Sequence, residues 1–383
     1  MFNIITSFLL ATCLIGGISA APASLVEPAT TPSYTDVELQ ATNFPALTND
    51  NLLPPVEQLA LGTLPNGPLP PPGGISADGI TNLQLIELNE FFEASFFTSL
   101  LSNITKNVPG YEINDEKERN EIINALVAII AAKELHGIFA DKALLSQSQP
   151  TIRGCHFKFP TTTFDGAIAL AATFTDVVLG TLQDVIEIFA INNDDSLTRG
   201  VASVVGQEGQ QDGFFRLLEK KGKVPSELPF LTTSTRDFAF SFLEQSVVVS
   251  CPNNNDDVLK QKLKIFGVLN LLTTNIEPKD QTLQFSFDLK SLDATYGNSY
   301  RSAYDWSEVS LVYINQQNTP IVEKVQNVQV DGIQVTFEAF FPYTENLLNG
   351  LTIAAVTRCG GPFADASAVA EETLFAPAFI EIN

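Results

Sequence analysis

Residues 83–101, LQLIELNEFFEASFFTSLL, carry the pattern that decides the fold of this chain. Apolar residues recur there at helical spacing, and Glu90 lies in the middle of their stripe. The residues that share its face are Leu83, Ile86, Ala94, Phe97 and Leu101. An ionised carboxylate is costly to bury unless it is paired, hydrogen-bonded or bound to a metal. The stretch therefore predicts an amphipathic helix whose buried face needs a polar partner for Glu90.

Later segments repeat this arrangement, each with one polar residue at the centre of an apolar helical face. These residues are His136, Gln183 and Glu208. Many of the neighbours of His136 and Gln183 on their faces are alanines, which let helices approach closely. Each of these residues and Glu90 belongs to a different predicted helix. The pattern therefore predicts a helix bundle with one shared polar centre, in which His136 and Gln183 could partner the carboxylates of Glu90 and Glu208.

The order of the predicted elements divides the chain into a helical part and a sheet part. Helical patterns cover about residues 78–104, 116–147, 162–191, 198–220 and 236–249. From about residue 258 the period changes to alternation, as in Leu283, Phe285 and Phe287. Residues 328–335, VQVDGIQV, predict a hairpin with an Asp-Gly type I′ turn, and further strands are expected at 351–357 and 377–382. The predicted fold class is α+β and multidomain: a bundle at residues 76–252 followed by an antiparallel β-sandwich at 258–383.

The N-terminal region predicts targeting and an extended arm. Residues 1–20 contain an apolar run from Ile4 to Ile18 and end in Ser19-Ala20, which is typical of a signal peptide and short for a bilayer span. Residues 21–75 are rich in Pro and polar residues and predict an extended arm. We expect no later membrane span, because the helical stretches carry charged or amide side chains throughout. The chain is therefore expected to be secreted, either free outside the cell or in the cell wall.

Composition limits the classes of partner. The 383 residues are 45% hydrophobic and 17% charged, which is enough apolar material for two packed cores. The formal net charge of -23 argues against nucleic acid or an anionic membrane as a partner, because a phosphate array would repel such a surface. We expect the acidity to keep a secreted protein soluble, and a cell wall or other copies of the chain stay open as partners.

The cysteines predict one disulfide. With the signal peptide removed, the cysteines that remain are Cys155, Cys251 and Cys359. Cys155 precedes the third bundle helix and Cys251 follows the last, so a bridge between them would tie the ends of the bundle together in an oxidising compartment. Spacing alone does not fix the pairing, and Cys359 would be free or intermolecular. The sequon Asn103-Ile104-Thr105 predicts glycosylation of Asn103 near the end of the first helix.

Several of these segments resemble a known family. They are EFFEASFF (residues 90–97), KELH (133–136), FTDVVLGTLQ (174–183) and GQEGQQDGFFR (206–216). They look like helices of the fungal ferritin-like secreted proteins, which include late-sexual-development and starvation or stress-response proteins and are similar to plant desiccation-related proteins. The resemblance covers about residues 76–250, and the tail to residue 383 is similar as well. It implies a ferritin-like four-helix bundle, secretion, and expression tied to stress or development.

The first two helices match the ferritin-like metal pattern in part. A di-iron centre of this type has a Glu on each of two helices and a Glu-x-x-His motif on each of the other two. Glu90, or Glu93 three residues later, suits the first helix. On the second helix His136 fits, but the residue three before it is Lys133, and Glu134 points to the opposite side. An ammonium cannot ligate a metal while it is charged, so this motif is broken.

The third and fourth helices depart from the pattern too. Gln183 stands where the third helix should offer Glu, although Asp176 and Glu187 lie on the same stripe. Glu208 fits the fourth helix, while Gln211 replaces the His of its motif. Amide oxygens are weak ligands for iron. These departures count against a complete dinuclear centre.

Three interpretations of the polar centre follow: a dinuclear oxidase site, a single metal held by Glu90, His136 and Glu208, or a metal-free network. We favour the network, because the ammonium of Lys133 facing two carboxylates would meet their pairing requirement without a metal. The expected function is that of a secreted, non-catalytic, structural or protective protein of the fungal cell surface or spore, made during stress or sexual development. The alternative is a secreted metal-binding ferritin-like oxidase that uses iron or another divalent metal.

Overall fold

The computed structural model describes residues 53–219, 228–292 and 305–382. The predicted signal peptide and the arm as far as residue 52 lie outside the described residues. The helical part contains α1 (Leu53–Leu59), α2 (Ala77–Thr105), α3 (Glu116–Ser146), α4 (Phe164–Ile191), α5 (Asp195–Leu218) and α6 (Arg236–Phe242), and α6 continues into a π-helical turn, Leu243–Val247. Each helix predicted from periodicity is present within a few residues of its expected bounds.

Side-chain caps explain where the long helices begin. Ser76, Asp115 and Thr163 are the N-caps of α2, α3 and α4, and each accepts a hydrogen bond from the backbone N–H three residues later. Ser76 Oγ also donates to Asp194 Oδ2 at 2.6 Å. Asp194 is the N-cap of α5, so this bond ties the starts of α2 and α5 together.

Aromatic packing joins the long helices in one core. Helix α2 packs along α3, α4 packs along α5, and α2 also contacts α4. The rings of Phe96 and Phe97 on α2 meet Phe174 on α4 edge to face, with ring centroids 5.1 and 5.6 Å apart. Phe97 also stacks on Phe215 of α5 at 5.5 Å. The aromatic run that suggested a helical core is therefore buried between three of the helices.

The end of the predicted extended arm is folded instead. Residues Leu53–Leu59 form α1, which packs against α3 and buries Val56. After α1 the Pro-rich segment is held to the end of α3, because Gln147 Nε2 donates to the carbonyl oxygens of Pro70 and Pro71 at 3.1 and 3.0 Å. The extended arm expected from composition is wrong for this stretch, since proline-rich sequence can still supply carbonyl acceptors and buried apolar side chains.

The connection from α3 to α4 crosses the bundle and is fixed by the predicted disulfide. Cys155 is bonded to Cys251, which confirms that pairing. Beside it, β1 (His156–Phe157) pairs antiparallel with β2 (Val248–Ser250). Cys359 is a free, exposed thiol.

The sheet part contains two four-stranded antiparallel sheets. After α7 (Asp257–Lys260), the strands are β3 (Leu269–Leu271), β4 (Gln281–Asp288), β5 (Ser310–Asn315), β6 (Ile321–Lys324), β7 (Gln326–Asp331), β8 (Gln334–Phe341), β9 (Gly350–Thr357) and β10 (Thr373–Ile382). Two further helices are α8 (Tyr343–Asn346) and α9 (Ala366–Glu372). The strand orders are β3-β4-β8-β7 and β10-β9-β5-β6.

One hydrophobic cluster includes side chains from both sheets. On β4 the predicted alternation is present, with Leu283 and Phe285 buried and Thr282 and Gln284 exposed. These inward side chains share a cluster with residues of β5 and β9 in the other sheet. Strands β5 and β9 are buried along their whole length, because their second face packs against residues of α4 and α6. The described residues therefore belong to one compact unit.

The β7–β8 turn differs from the predicted type I′ turn. Asp331 pairs with Gln334, so the two loop residues are Gly332 and Ile333 rather than Asp331 and Gly332. Of the two, only Gly332 has a positive φ, 61°, as in a type II′ turn. The carbonyl of Ile333 accepts a hydrogen bond from the backbone N–H of Leu289 at 2.9 Å. This bond continues the β4–β8 pairing and accounts for the shift of the turn by one residue.

Among the described residues, one helix, α3, has the length and apolar composition of a membrane span. More than half of its most apolar stretch is buried inside the protein. A core helix of a folded domain passes the same test of length and composition.

Candidate functional site

The polar centre predicted from the helical stripes is built around Lys133 of α3. Its ammonium makes ion pairs with Glu93 Oε2 on α2 and with Glu208 Oε1 on α5. The three side chains are completely buried. Asn89 Nδ2, one turn before Glu93, donates to the other carboxylate oxygen, Glu93 Oε1, at 2.6 Å. We expected Lys133 to lie within ion-pair reach of Glu90 or Glu208; Glu208 is confirmed as a partner, and the second partner is Glu93 rather than Glu90.

His136 joins the same cluster one turn further along α3. Its Nδ1 lies 3.4 Å from Glu90 Oε1 and 3.5 Å from Glu208 Oε1. Glu90 is buried, whereas the His136 side chain is 14% exposed. Glu208 therefore lies between Lys133 and His136, and His136 is where the cluster reaches the surface.

The pKa values follow from burial and from these neighbours. Burial would raise the pKa of Glu208, but Lys133 and His136 outweigh it and lower that pKa to about 2. Burial would lower the pKa of His136, but Glu90 and Glu208 raise it to about 9. Burial, helped by the repulsion from Glu208 and Glu90, raises the pKa of Glu93 to about 8 against the attraction of Lys133. At neutral pH these shifts favour a charged ammonium on Lys133, a charged imidazolium on His136, an ionised Glu208 and a protonated Glu93.

Gln183, which was predicted to lie in this centre, lies elsewhere. Its Oε1 accepts a hydrogen bond from Gln317 Nε2 at 2.7 Å, and Gln317 also donates to the carbonyl of Leu231 at 2.9 Å. Gln183 is half-buried and faces the loop between β5 and β6. The prediction is wrong because the apolar face of α4 covers the sheet part as well as the bundle, so the centre of its stripe does not point at the bundle axis.

Gln211 contributes no contact to the ion pairs either. It is buried on α5, but its Nε2 donates to Gln207 Oε1 of the preceding turn at 2.8 Å. Its side chain is therefore oriented along its own helix. Glu134, expected to point away from the centre, is also buried.

Two further buried ionic clusters were not predicted. Arg216 on α5 lies 3.7 Å from Asp176 on α4 and 3.7 Å from Asp212 on its own helix. The i, i+4 spacing of Asp212 and Arg216, together with the position of Asp176 on the α4 stripe, was a usable signal. The polar residues of the α4 stripe were interpreted only as metal ligands, so the pairing of Asp176 with Arg216 was not predicted.

The other cluster fixes the crossing connection to the bundle. Arg153 Nη1 donates to Glu87 Oε1 on α2 at 2.6 Å, and its Nη2 donates to Asp141 Oδ1 on α3. The backbone N–H of Ile152 donates to Glu87 Oε2 at 2.6 Å. Arg153 lies in an irregular segment, where no periodicity indicates which way a side chain points. This cluster had no sequence signal.

The residues of the polar centre can be compared with the needs of a metal. Ligand atoms of Glu90, His136 and Glu208 lie within 4.8 Å of one another, so these three could hold a single cation. A dinuclear iron centre does not fit. Lys133 takes the position of one Glu ligand and pairs with two others, and Gln183 faces another part of the protein.

The predicted glycosylation site is on the last turn of α2. Asn103 is half-buried there, and its carbonyl accepts a hydrogen bond from the backbone N–H of Val108 at 2.9 Å. Glycosylation of Asn103 stays a prediction.

Comparison of the chain with protein-family models and with characterised proteins finds no match. The resemblance to fungal ferritin-like proteins therefore stays a prediction. Function has to be inferred from the polar centre and its surroundings.

Proposed function

We propose that the chain is a secreted, non-catalytic protein of the fungal cell surface or spore that acts in the stress response or in sexual development. Its fold would be a ferritin-like four-helix bundle followed by a β-sandwich. The four long helices, three of which share the polar centre, and the hydrophobic cluster shared by two sheets support this fold. The disulfide between Cys155 and Cys251 is typical of proteins made in an oxidising compartment and supports secretion. Stage and trigger rest on the resemblance alone.

The observation that supports a non-catalytic role most strongly is the position of Lys133. Its buried ammonium pairs with both Glu93 and Glu208, which are the carboxylates that a metal between α2 and α5 would use. A cation that is covalently part of the chain satisfies these carboxylates in every molecule. The polar centre then serves to fix the register of three helices, as a buried polar network does when all its members are paired.

A second candidate function is a metal-binding protein with a degenerate site. The convergence of Glu90, His136 and Glu208 favours it, because two carboxylates and an imidazole are a common ligand set for divalent transition metals. Bound there, such a metal would supply Lewis-acid or redox chemistry. The positive charge of Lys133 beside Glu208 opposes a second cation in the cluster. This repulsion is the reason why we rank the metal-free network first.

Metal analysis separates the two candidates. We would purify the secreted protein without chelators, incubate it with Fe²⁺ or Zn²⁺, and measure bound metal per chain together with the melting temperature. The proposal expects substoichiometric metal and a melting temperature that EDTA leaves unchanged. The matched variant is Glu90→Gln, which keeps the shape of a ligand and removes its charge. Stoichiometric metal that is lost in Glu90→Gln would establish the second candidate instead.

Secretion is tested separately from the metal question. The mature N-terminus of protein collected from the culture medium should be Ala21, as cleavage after Ala20 requires. Intact Met1 on extracellular protein would contradict the signal-peptide prediction.

A further inference from the structure

A groove on the surface begins at His136 and runs along the helices α3 and α5. Its outer wall is the segment after α1, residues 60–70, which crosses both helices. The groove has two adjoining compartments with volumes of about 310 and 370 Å³. They share Pro65, Phe139, Gly200 and Ser203 as lining residues, so they form one continuous depression. Each compartment is within the size range of small-molecule sites.

The wall of the groove is held in place by hydrogen bonds. The backbone N–H of Leu64 donates to Glu57 Oε1 at 2.9 Å, and Leu64 is buried. At the far end, the Gln147 amide binds the carbonyl groups of Pro70 and Pro71 and accepts from the backbone N–H of Gly74 at 3.1 Å. The segment is therefore anchored on both sides of the groove, and a ligand would enter a preformed cleft.

The charge of the groove is opposite to that of the chain. The sequence has 44 acidic residues and 21 Lys or Arg. Among the described residues that line the two compartments, the ionisable ones are His136, Lys142 and Arg199, and none is acidic. Lys142 and Arg199 lie in the compartment farther from the polar centre and are exposed. A groove with only basic ionisable groups on a strongly acidic protein attracts small anions to this face.

The rest of the lining is mostly apolar, with a few hydrogen-bonding groups. Phe139, Leu197 and Val204 offer apolar surface, and the hydroxyl of Ser203 and the amide of Gln207 offer polar contacts. His136 presents one edge of its ring at the inner end. Because its Nδ1 faces Glu90 and Glu208, the opposite edge with Nε2 is the one that borders the groove. A mostly apolar cleft with a few convergent polar groups is the usual character of a small-molecule site.

We propose that this groove binds a small organic carboxylate with an apolar body. The carboxylate is held by Arg199 and Lys142, the body packs against Phe139 and Leu197, and the inner end reaches the His136 ring. An arginine guanidinium matches the planar, two-oxygen geometry of a carboxylate, which selects this group over a neutral amide. This binding activity goes beyond the proposed structural role.

Direct titration tests the proposal. The probes are 3-phenylpropanoate and octanoate, and the matched neutral probes are 3-phenylpropanamide and octanamide, added to the full mature protein in a calorimeter. We expect each carboxylate to bind at least about tenfold more tightly than its amide, the effect of one charge-assisted hydrogen bond. The double variant Arg199→Gln/Lys142→Gln should weaken carboxylate binding by a similar factor. Lys117→Gln, which removes an exposed charge at the other end of α3, should leave binding unchanged.

The two histidines of the chain give an independent readout of the location. In protein labelled at histidine, the ring signals of His136 should shift during the titration. Those of His156, which lies on β1 and is exposed, should stay in place. Ser203→Phe, at an exposed position of α5 on the rim, should block binding while the far-ultraviolet circular dichroism stays that of the parent.

Each of three results would overturn the proposal. The first is an equal affinity for a carboxylate and its matched amide. The second is carboxylate binding that is unchanged in both Arg199→Gln/Lys142→Gln and Ser203→Phe. The third is a titration at millimolar probe that gives neither a binding heat nor a shift of the His136 ring signals. A failure of this kind would leave the metal content and the secretion of the protein unaffected, so it is distinguishable from a failure of the proposed function.

Discussion

Replacement of Lys133 by methionine tests the metal-free network most directly. Methionine keeps much of the aliphatic volume of lysine and removes the ammonium. The change leaves Glu93 and Glu208, both completely buried, without their shared cation. Breaking a buried pair by removing one partner costs roughly 3–5 kcal/mol. We therefore expect Lys133→Met to lower the free energy of unfolding by about this amount, and the melting temperature by roughly 5–10 °C.

The size of the loss should depend on pH. The pKa of Glu93 is raised to about 8, because burial and the repulsion by Glu208 and Glu90 outweigh the attraction of Lys133. Below that pH Glu93 carries a proton, and the remaining charge on Glu208 keeps His136 as a partner at 3.5 Å. The cost of Lys133→Met should therefore be near the lower end of the range at pH 6 and near the upper end at pH 9.

Urea unfolding at these two pH values, followed by circular dichroism, measures the effect. The matched control is Lys117→Met on the same helix, whose ion pair with Glu121 is exposed and 3.6 Å long, and which should change stability little. Adding Glu93→Gln to Lys133→Met should recover part of the loss at pH 9, because it removes a buried carboxylate charge that has lost its ammonium partner. If the free energy of unfolding of Lys133→Met is within about 1 kcal/mol of that of the parent at both pH values, the stabilising role of Lys133 is refuted. A further loss on adding Glu93→Gln would refute it too.

Three other outcomes are expected. Replacing Cys155 and Cys251 by alanine should lower the free energy of unfolding by roughly 2–5 kcal/mol relative to the disulfide-bonded parent, because the bond closes a loop with a sequence separation of 96. Calorimetry of the variant and of the oxidised parent checks this, and equal stability would contradict it. The pKa of His136 is raised to about 9, so the stabilisation by its charged ring is complete below about pH 6.5 and is lost as the pH rises to about 9. The free energy of unfolding should fall by roughly 1–3 kcal/mol over this window. Urea titrations in which stability rises over the same window would contradict this prediction. Arg153→Met should lower the free energy of unfolding by about 2–4 kcal/mol, since it leaves the buried carboxylates of Glu87 and Asp141 without their cation. It should also make the connection between α3 and α4 sensitive to limited proteolysis. An unchanged melting temperature and an unchanged cleavage pattern would contradict this prediction.

The helices and much of the polar centre could be predicted from sequence because their signal is local. Periodicity fixes which residues share a helical face, so Glu90, Lys133, His136 and Glu208 could be assigned to one buried side before their contacts were known. All four are in the cluster. The disulfide was predicted from the positions of Cys155 and Cys251 near the helix ends, although spacing alone left the pairing open until the structure confirmed it.

Gln183 and Arg153 show where this kind of inference fails. A stripe tells which face of a helix is buried but not what buries it. The face of α4 is shared between the bundle and the sheet part, and Gln183 lies on the portion that meets Gln317. Arg153 has no periodic context, so its bridge between Glu87 and Asp141 depends on the path of an irregular connection. Both failures concern contacts between elements far apart in sequence, which pattern alone does not specify.

The charge of the polar centre also has a consequence for the groove. The ammonium of Lys133 lies behind the groove and pairs with Glu93 and Glu208, and the His136 ring lies between this pair and the surface. Because the ammonium offsets the carboxylate charge of Glu208, the positive groups in the groove face less uncompensated negative charge behind them. A variant that introduces a carboxylate here, such as Lys133→Glu, would make the centre more negative. It should therefore weaken the binding of an organic anion in the neighbouring groove, even though Lys133 itself does not line it.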